Sequence, residues 1–208
     1  MILETTSLTK RYAGRLVVAS VSLRFPGPGV LVIRGENGAG KSTLLSMLAG
    51  VLTPDSGRIL LAGHDLGRDR RRALQSIGYA PDRLDLPPEL TTRELVSLVT
   101  TLKNTAPAPE SLLERLGARP FWNDRLGALS LGQRRRTALL LALLGSPPLL
   151  ILDEPTNGLD AGALDMLAGL LRERTAAGGS AVLATHDTAF ADRIADARAE
   201  LHGGRLRD

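Results

Sequence analysis

A glycine-rich stretch, Gly35-Glu36-Asn37-Gly38-Ala39-Gly40-Lys41-Ser42-Thr43, follows the apolar run Val30–Ile33 and leads into Leu44–Ala49. The order is strand, tight turn, helix, and it fits G-x-x-x-x-G-K-[ST], a loop that wraps phosphate. Gly38 and Gly40 let successive backbone N–H groups turn inward on an anion, and the positive end of the next helix adds to that field. Lys41 is then placed to reach the β- and γ-phosphates of a nucleotide, and the Ser42 hydroxyl to take a place on Mg²⁺. Such a loop works only between a strand and a helix, so it demands an α/β core around it.

A second apolar run, Leu149–Leu152, comes after Pro147-Pro148 and ends in Asp153-Glu154. It reads as a strand in a parallel sheet covered on both faces. In open α/β sheets ligands bind outside the carboxyl ends of the strands, which puts both acids beside the phosphate loop. Asp153 is expected to hold Mg²⁺ through a water, and Glu154 to act as general base or to position the water that attacks the γ-phosphate.

The remaining pattern supplies the frame. Residues 2–8, 16–18 and 21–25 read as strands around a turn at 10–15, and Pro26-Gly27-Pro28-Gly29 breaks the chain before the loop. Helix 41–49 closes at Gly50, and strands are expected at 58–62 and 76–80. From 83 to 129 the pattern turns helical. Thr91 and Glu94 mark a capped start, Leu95, Leu98, Val99 and Leu102 share one helical face, and a second helix at 110–116 follows the proline-broken linker 106–109. The segment 83–129 is read as a helical lobe inserted into a core made of 1–82 and 130–208, all within a single domain. Helices are then expected at 131–144, 160–176 and 188–195, with a strand at 180–185 and a final β segment at 197–206.

Composition narrows the chemistry. The chain lacks cysteine, which excludes disulfides, thiolate metal sites and a cysteine nucleophile. Its longest charge-free run, Thr137–Leu152, is broken by prolines, too short for a membrane-spanning helix, and the first residues carry no secretion-signal pattern. The net charge of +4 gathers at Arg68, Arg70–Arg72 and Arg134–Arg136. With aromatics at only 3 %, stacking platforms for single-stranded bases are nearly absent, so these arginines are read as solvated helix faces and no nucleic acid is expected.

Leu129-Ser130-Leu131-Gly132-Gln133, just ahead of helix 131–144, completes a set of motifs. Together they resemble the nucleotide-binding subunit of an ATP-binding cassette (ABC) transporter, in the same order and over essentially the whole chain. Residues 35–43 match the Walker A loop, 149–154 match Walker B with its catalytic glutamate, and 157–160 match the D-loop. Tyr12 matches the aromatic that stacks on adenine, and His186 the switch histidine. The resemblance implies a phosphate-loop NTPase core with a mixed, largely parallel sheet, an N-terminal antiparallel β subdomain and an inserted α-helical lobe. It also implies two copies facing head to tail around two MgATP. Each nucleotide then lies between one Walker A loop and the partner's Ser130, Leu131, Gly132, Gln133 and Asp160. Lys41, Glu154 and His186 would carry the chemistry.

The sequence departs from the family at two positions. Leu131 stands where the signature normally has its first glycine, and a leucine there can point aside while still presenting its N–H. Asp82 stands where glutamine is usual; it is shorter, charged and acceptor-only. It is expected either to sense Mg²⁺ at longer reach or to serve as a plain turn residue.

The function these features imply is an ATPase subunit that drives a separate membrane-spanning permease, of the exporter type. It would work as a homodimer or heterodimer at the cytoplasmic face of the cell membrane. The alternative is a soluble ABC ATPase acting on nucleic acid or ribosomes. The interval between Ser42 and Ser130 holds no sustained heptad, and the chain has a single Walker A loop, both of which weigh against it.

Overall fold

Two sheets divide the strands between them, and the phosphate loop sits where they meet. In the computed structural model, which describes residues 1–207, the chain runs β1 (Leu3–Tyr12), β2 (Arg15–Phe25), β3 (Gly29–Arg34), α1 (Lys41–Leu48), β4 (Ser56–Leu61), β5 (His64–Asp65), α2 (Arg70–Gln75) and β6 (Ile77–Ala80). It continues as α3 (Thr92–Lys103), α4 (Glu110–Arg115), α5 (Leu131–Leu143), β7 (Leu149–Asp153), α6 (Ala161–Ala176), β8 (Ser180–Ala184), α7 (Thr188–Ile194), β9 (Ala197–His202) and β10 (Arg205–Arg207). The first sheet is antiparallel, in the order β2-β1-β4-β5. The second has the order β10-β9-β3-β8-β7-β6, parallel throughout except for the β9–β10 hairpin.

The apolar runs seen in the sequence are strands buried on both faces. Successive side chains of a strand point to opposite sides. Val30, Val32, Leu150, Leu152, Ala181 and Leu183 accordingly join a core formed with α3–α7. Their neighbours Leu31, Ile33, Leu149, Ile151, Val182 and Ala184 join a second core beneath α1 and the antiparallel sheet. At Gly78 of β6 the first core is tight: a Cβ there would lie 1.8 Å from the Ala142 carbonyl oxygen of α5.

Three local expectations change. The turn expected at 10–15 is only Ala13-Gly14, both with positive φ. Lys10 and Arg11 stay in β1 because Asp55 holds them, accepting from Lys10 Nζ at 2.7 Å and from the Arg11 N–H at 2.7 Å. β2 is continuous across 15–25 and absorbs its irregular pattern in register shifts against β1. The Thr91–Glu94 capping box forms as expected, but the buried side of α3 is Thr92, Leu95, Val96 and Thr100, while Leu98 and Leu102 are exposed. The Lys103 ammonium, pointed at the Leu141 and Leu144 carbonyls at the end of α5, fits that rotation. Apolar spacing alone cannot choose between two overlapping arcs of one helix.

Gly78→Ala would force α5 away from β6. Thermal unfolding should move down by about 2–12 °C, taking overpacking at about 1–3 kcal/mol and the size of this domain. An unchanged midpoint would mean that this contact carries no strain.

Candidate functional site

Parallel registration brings the site together. Ile33 of β3 and Asp153 of β7 both pair with Ala184 of β8, so the three strands end at one edge, and Ala80 of β6 pairs with Leu152 one step behind. The phosphate loop leaves β3, Asp153-Glu154 ends β7, His186 follows β8 and Asp82 follows β6. A cavity of about 500 Å³ opens there. Asn37, Gly38, Gly40, Lys41, Ser42 and Thr43 form one wall, and Val17, Asp82, Glu154, Asn157 and His186 the others.

The loop's glycines are required by contact as well as by conformation. Gly40 has φ 102°, and a Cβ on it would sit 2.6 Å from the Val17 carbonyl oxygen; one on Gly35 would sit 2.2 Å from that of Leu201. Gly40 caps α1 without any side-chain hydrogen bond, and the first turn of α1 holds no acid. The first N–H groups of the helix are therefore left for an outside anion. The ammonium of Lys41 folds back onto its own loop, donating to the Gly35 carbonyl at 2.7 Å and the Glu36 carbonyl at 3.1 Å. Ala39 is buried.

The acids behave differently from each other. Asp153 is 3 % exposed, and its Oδ1 has no hydrogen-bond partner among the described residues. Burial pushes its carboxyl above the usual range, against the lowering effect of the Ser42 hydroxyl beside it. Glu154 adopts φ 46°, a left-handed conformation uncommon outside glycine, held by its N–H on the Ala184 carbonyl at 2.8 Å. Its Oε2 accepts the His186 backbone N–H at 3.1 Å and pairs with His186 Nδ1 at 2.9 Å. Both bonds fall on one oxygen.

Two residues named in the sequence for other reasons, Arg135 in an arginine run and Asn157 in the D-loop, were not expected to brace this cavity. Arg135 lies in a run of three arginines expected to be solvated, yet it is 4 % exposed. It donates to the Pro81 and Asp82 carbonyls at 2.8 Å each and to Asp82 Oδ1 at 3.1 Å. Asn157 donates to the same Oδ1 at 2.9 Å. Asp82 is thus neither a plain turn residue nor an unattached carboxylate. The other two arginines are engaged as well: Arg134 bonds the Leu129 and Gly127 carbonyls, and Arg136 lies 3.6 Å from Asp160.

A second cavity, of about 370 Å³, takes the signature residues. Ser130, Gly132 and Gln133 at the start of α5 line it together with Asp160, which caps α6. Ser130 and Gln133 form a reciprocal capping box. Leu131 is exposed and rests against Gly158. None of these residues lines the first cavity, and neither does Tyr12, which ends β1 and is about half exposed under the Lys10 ammonium.

A phosphate loop facing strand-end acids at the carboxyl edge of a parallel sheet defines a phosphate-loop NTPase. The family model described as "ABC transporter" matches residues 18–157. The Nod factor export ATP-binding protein I of Rhizobium etli is 34 % identical over 208 residues, covering 98 % of this chain and 66 % of that protein. A structure titled as the ATP-binding subunit of an ABC transporter superposes with TM-score 0.93 at 28 % identity, covering 100 % of this chain and 89 % of that one. A dimeric ATP-binding cassette in a post-hydrolysis state bound to ADP and Pi gives TM-score 0.86 at 25 % identity, covering 100 % and 97 %. The chain belongs to the ABC transporter family, as an ATP-binding ATPase subunit. Among the described residues no helix is long and apolar enough to cross a membrane.

The buried, half-satisfied Asp153 should weaken the fold that it serves. Its raised pKa means that the folded state holds the proton more tightly than the unfolded chain, so stability is lost as pH rises through the folded value. Asp153→Asn is expected to melt about 2–4 °C higher without nucleotide at neutral pH while losing ATP turnover. A lower melting midpoint would show that the carboxylate is satisfied.

Proposed function

We propose that this ABC ATPase works as a dimer on two MgATP and drives a separate membrane-spanning subunit in export. The observation that carries the dimer is the separation of the two cavities. The phosphate loop, Glu154 and His186 line one, Ser130, Gly132, Gln133 and Asp160 line the other, and the two share no residue. A signature that cannot serve its own loop can serve the loop of a facing copy, with the N-terminus of α5 presented to the γ-phosphate. That a similar cassette bound to ADP and Pi is dimeric supports a dimer as the working state. Tyr12, about half exposed at the end of β1, is available to stack on adenine.

The residues present fit Mg²⁺. Asp153 Oδ1 is buried without a partner among the described residues, and Ser42 stands beside it. Among the described residues no three acidic, histidine or cysteine side chains are placed to hold a metal ion together. That suits an ion which takes one or two protein ligands and the rest from phosphates and water. Asp153 and Ser42 would hold it, and it would neutralise charge on the β- and γ-phosphate oxygens; Asp82, whose Oδ1 already accepts from Arg135 and Asn157, is committed to them.

Hydrolysis then needs a base and a fixed geometry. Lys41, freed from the Gly35 and Glu36 carbonyls, turns to the phosphates. His186 fixes Glu154 through Oε2, which leaves Oε1 to take a proton from water as that water attacks the γ-phosphate in line with the departing ADP oxygen. The helical segment 83–129 is the proposed lobe that meets the membrane subunit. In support, a groove of about 600 Å³ runs between Leu74 and Ile77 on one side and Leu102, Leu144 and Pro147 on the other. Leu102 is 76 % exposed. The export direction rests on the name of the Rhizobium relative. The cytoplasmic face of the membrane follows from where ATP is supplied.

Glu154→Gln keeps the shape of the site and removes the base. It should bind ATP, accumulate as an ATP-bound dimer on size-exclusion chromatography, and turn over at least about a hundredfold more slowly. Turnover near the wild-type rate would remove Glu154 as the base, and a persistent monomer with bound ATP would remove the dimer.

A further inference from the structure

We propose that Arg135 is a positioning residue for MgATP: its buried guanidinium pins the Asp82 carboxylate in the cavity wall and ties that wall to the helix carrying the signature. The inference rests on the reading of the first cavity as the MgATP site.

A guanidinium that is 4 % exposed needs compensation from its surroundings. Arg135 finds it in one carboxylate and three carbonyls. Beyond its bonds to Pro81 and Asp82, its Nε points at the Asn157 carbonyl at 3.4 Å. Its ion pair with Asp82 is the single one that either residue makes among the described residues. The pairing works in both directions. A neutral glutamine at 82 would leave Arg135 buried and unpaired. A neutral residue at 135 would remove the cation paired with the Asp82 carboxylate, adding negative charge to the cavity where the phosphates must enter. The aspartate at 82 and the buried arginine at 135 are therefore two halves of one exchange.

The same guanidinium spans three segments. Arg135 lies one turn along α5 from the Ser130–Gln133 capping box. Asp82 ends the segment leaving β6, and Asn157 precedes Gly158, whose carbonyl would stand 2.9 Å from a Cβ on Gly132. Asn157 also bonds Asp82 Oδ1, so both arms of the second cavity hang from the carboxylate that faces the first. A shift of Asp82 when nucleotide enters would be felt by Ser130–Gln133 and by the turn leading to Asp160.

The test compares Arg135→Gln, Asp82→Gln and the double variant in the full chain. It reads equilibrium binding of a fluorescent ATP analogue with Mg²⁺, steady-state KM and kcat, and thermal melting. Arg135→Gln should raise Kd and KM about tenfold with a smaller loss in kcat, because the freed carboxylate repels phosphate. Asp82→Gln should melt lower than wild type, with its guanidinium unpaired. The double variant should recover Kd to within about threefold of wild type and melt above either single variant. Single effects that simply multiply, or wild-type binding by Arg135→Gln, overturn the proposal. Should Arg135→Gln not fold, Arg135→Lys keeps the charge without the fork and should raise Kd about threefold; wild-type affinity there overturns it too. Lys41→Ala separates the two levels. If that variant binds the analogue as tightly as wild type, the placement of ATP in the first cavity has failed, whatever the Arg135 variants show.

Discussion

Parallel pairing of β3, β8, β7 and β6 is the constraint on which the rest depends. Strands that run the same way in register must end together, and each of these four releases a functional residue at its end. The loop glycines, the two acids, His186 and Asp82 come from segments far apart in sequence, yet none has to travel to reach the others. The antiparallel sheet and the β9–β10 hairpin then close on the loop from outside. Val17 and Leu201 contribute the carbonyl oxygens that leave no room for a side chain at Gly40 or Gly35.

Charge burial follows from that geometry and shapes the site's energetics. Asp153 sits at the end of a strand covered on both faces, so it loses most of its hydration and keeps an oxygen without a donor among the described residues. Glu154 stands one residue later, at the turn out of the strand, in a backbone conformation that glutamate adopts reluctantly. Lys41 and Arg135 are buried cations, and both are engaged: Lys41 by two carbonyls, Arg135 by carbonyls and the Asp82 carboxylate. A buried acid short of a donor among the described residues, a strained acid and two engaged cations describe a site arranged for a phosphate ligand at the expense of the empty fold.

Much of this was legible in the chain. The phosphate loop, Walker B acids, signature and histidine lie in contiguous motifs whose local structure follows from short-range rules, and the elements carrying them stand within a residue or two of expectation. The misreadings share one cause. The turn at 10–15, the rotation of α3 and the state of Arg135 each depend on a partner remote in sequence: Asp55 for Lys10 and Arg11, the end of α5 for Lys103, Asp82 for Arg135. A run of three arginines on a helix looks solvated until something packs over it.

The sequence by itself determined the class of fold, the phosphate-binding loop and the identity of the acids beside it, because glycine geometry, strand apolarity and motif order are local properties. Only the tertiary structure decided that the loop and the signature line separate cavities. The same holds for Asp153, whose oxygen is left bare, and for Asp82, whose carboxylate is held by a buried arginine. These outcomes turn on which surfaces meet and which are covered, and a chain read one residue after another does not contain that information in any single stretch. The loop at 35–43 was evident from the start; that it forms half of a site is a property of the folded shape.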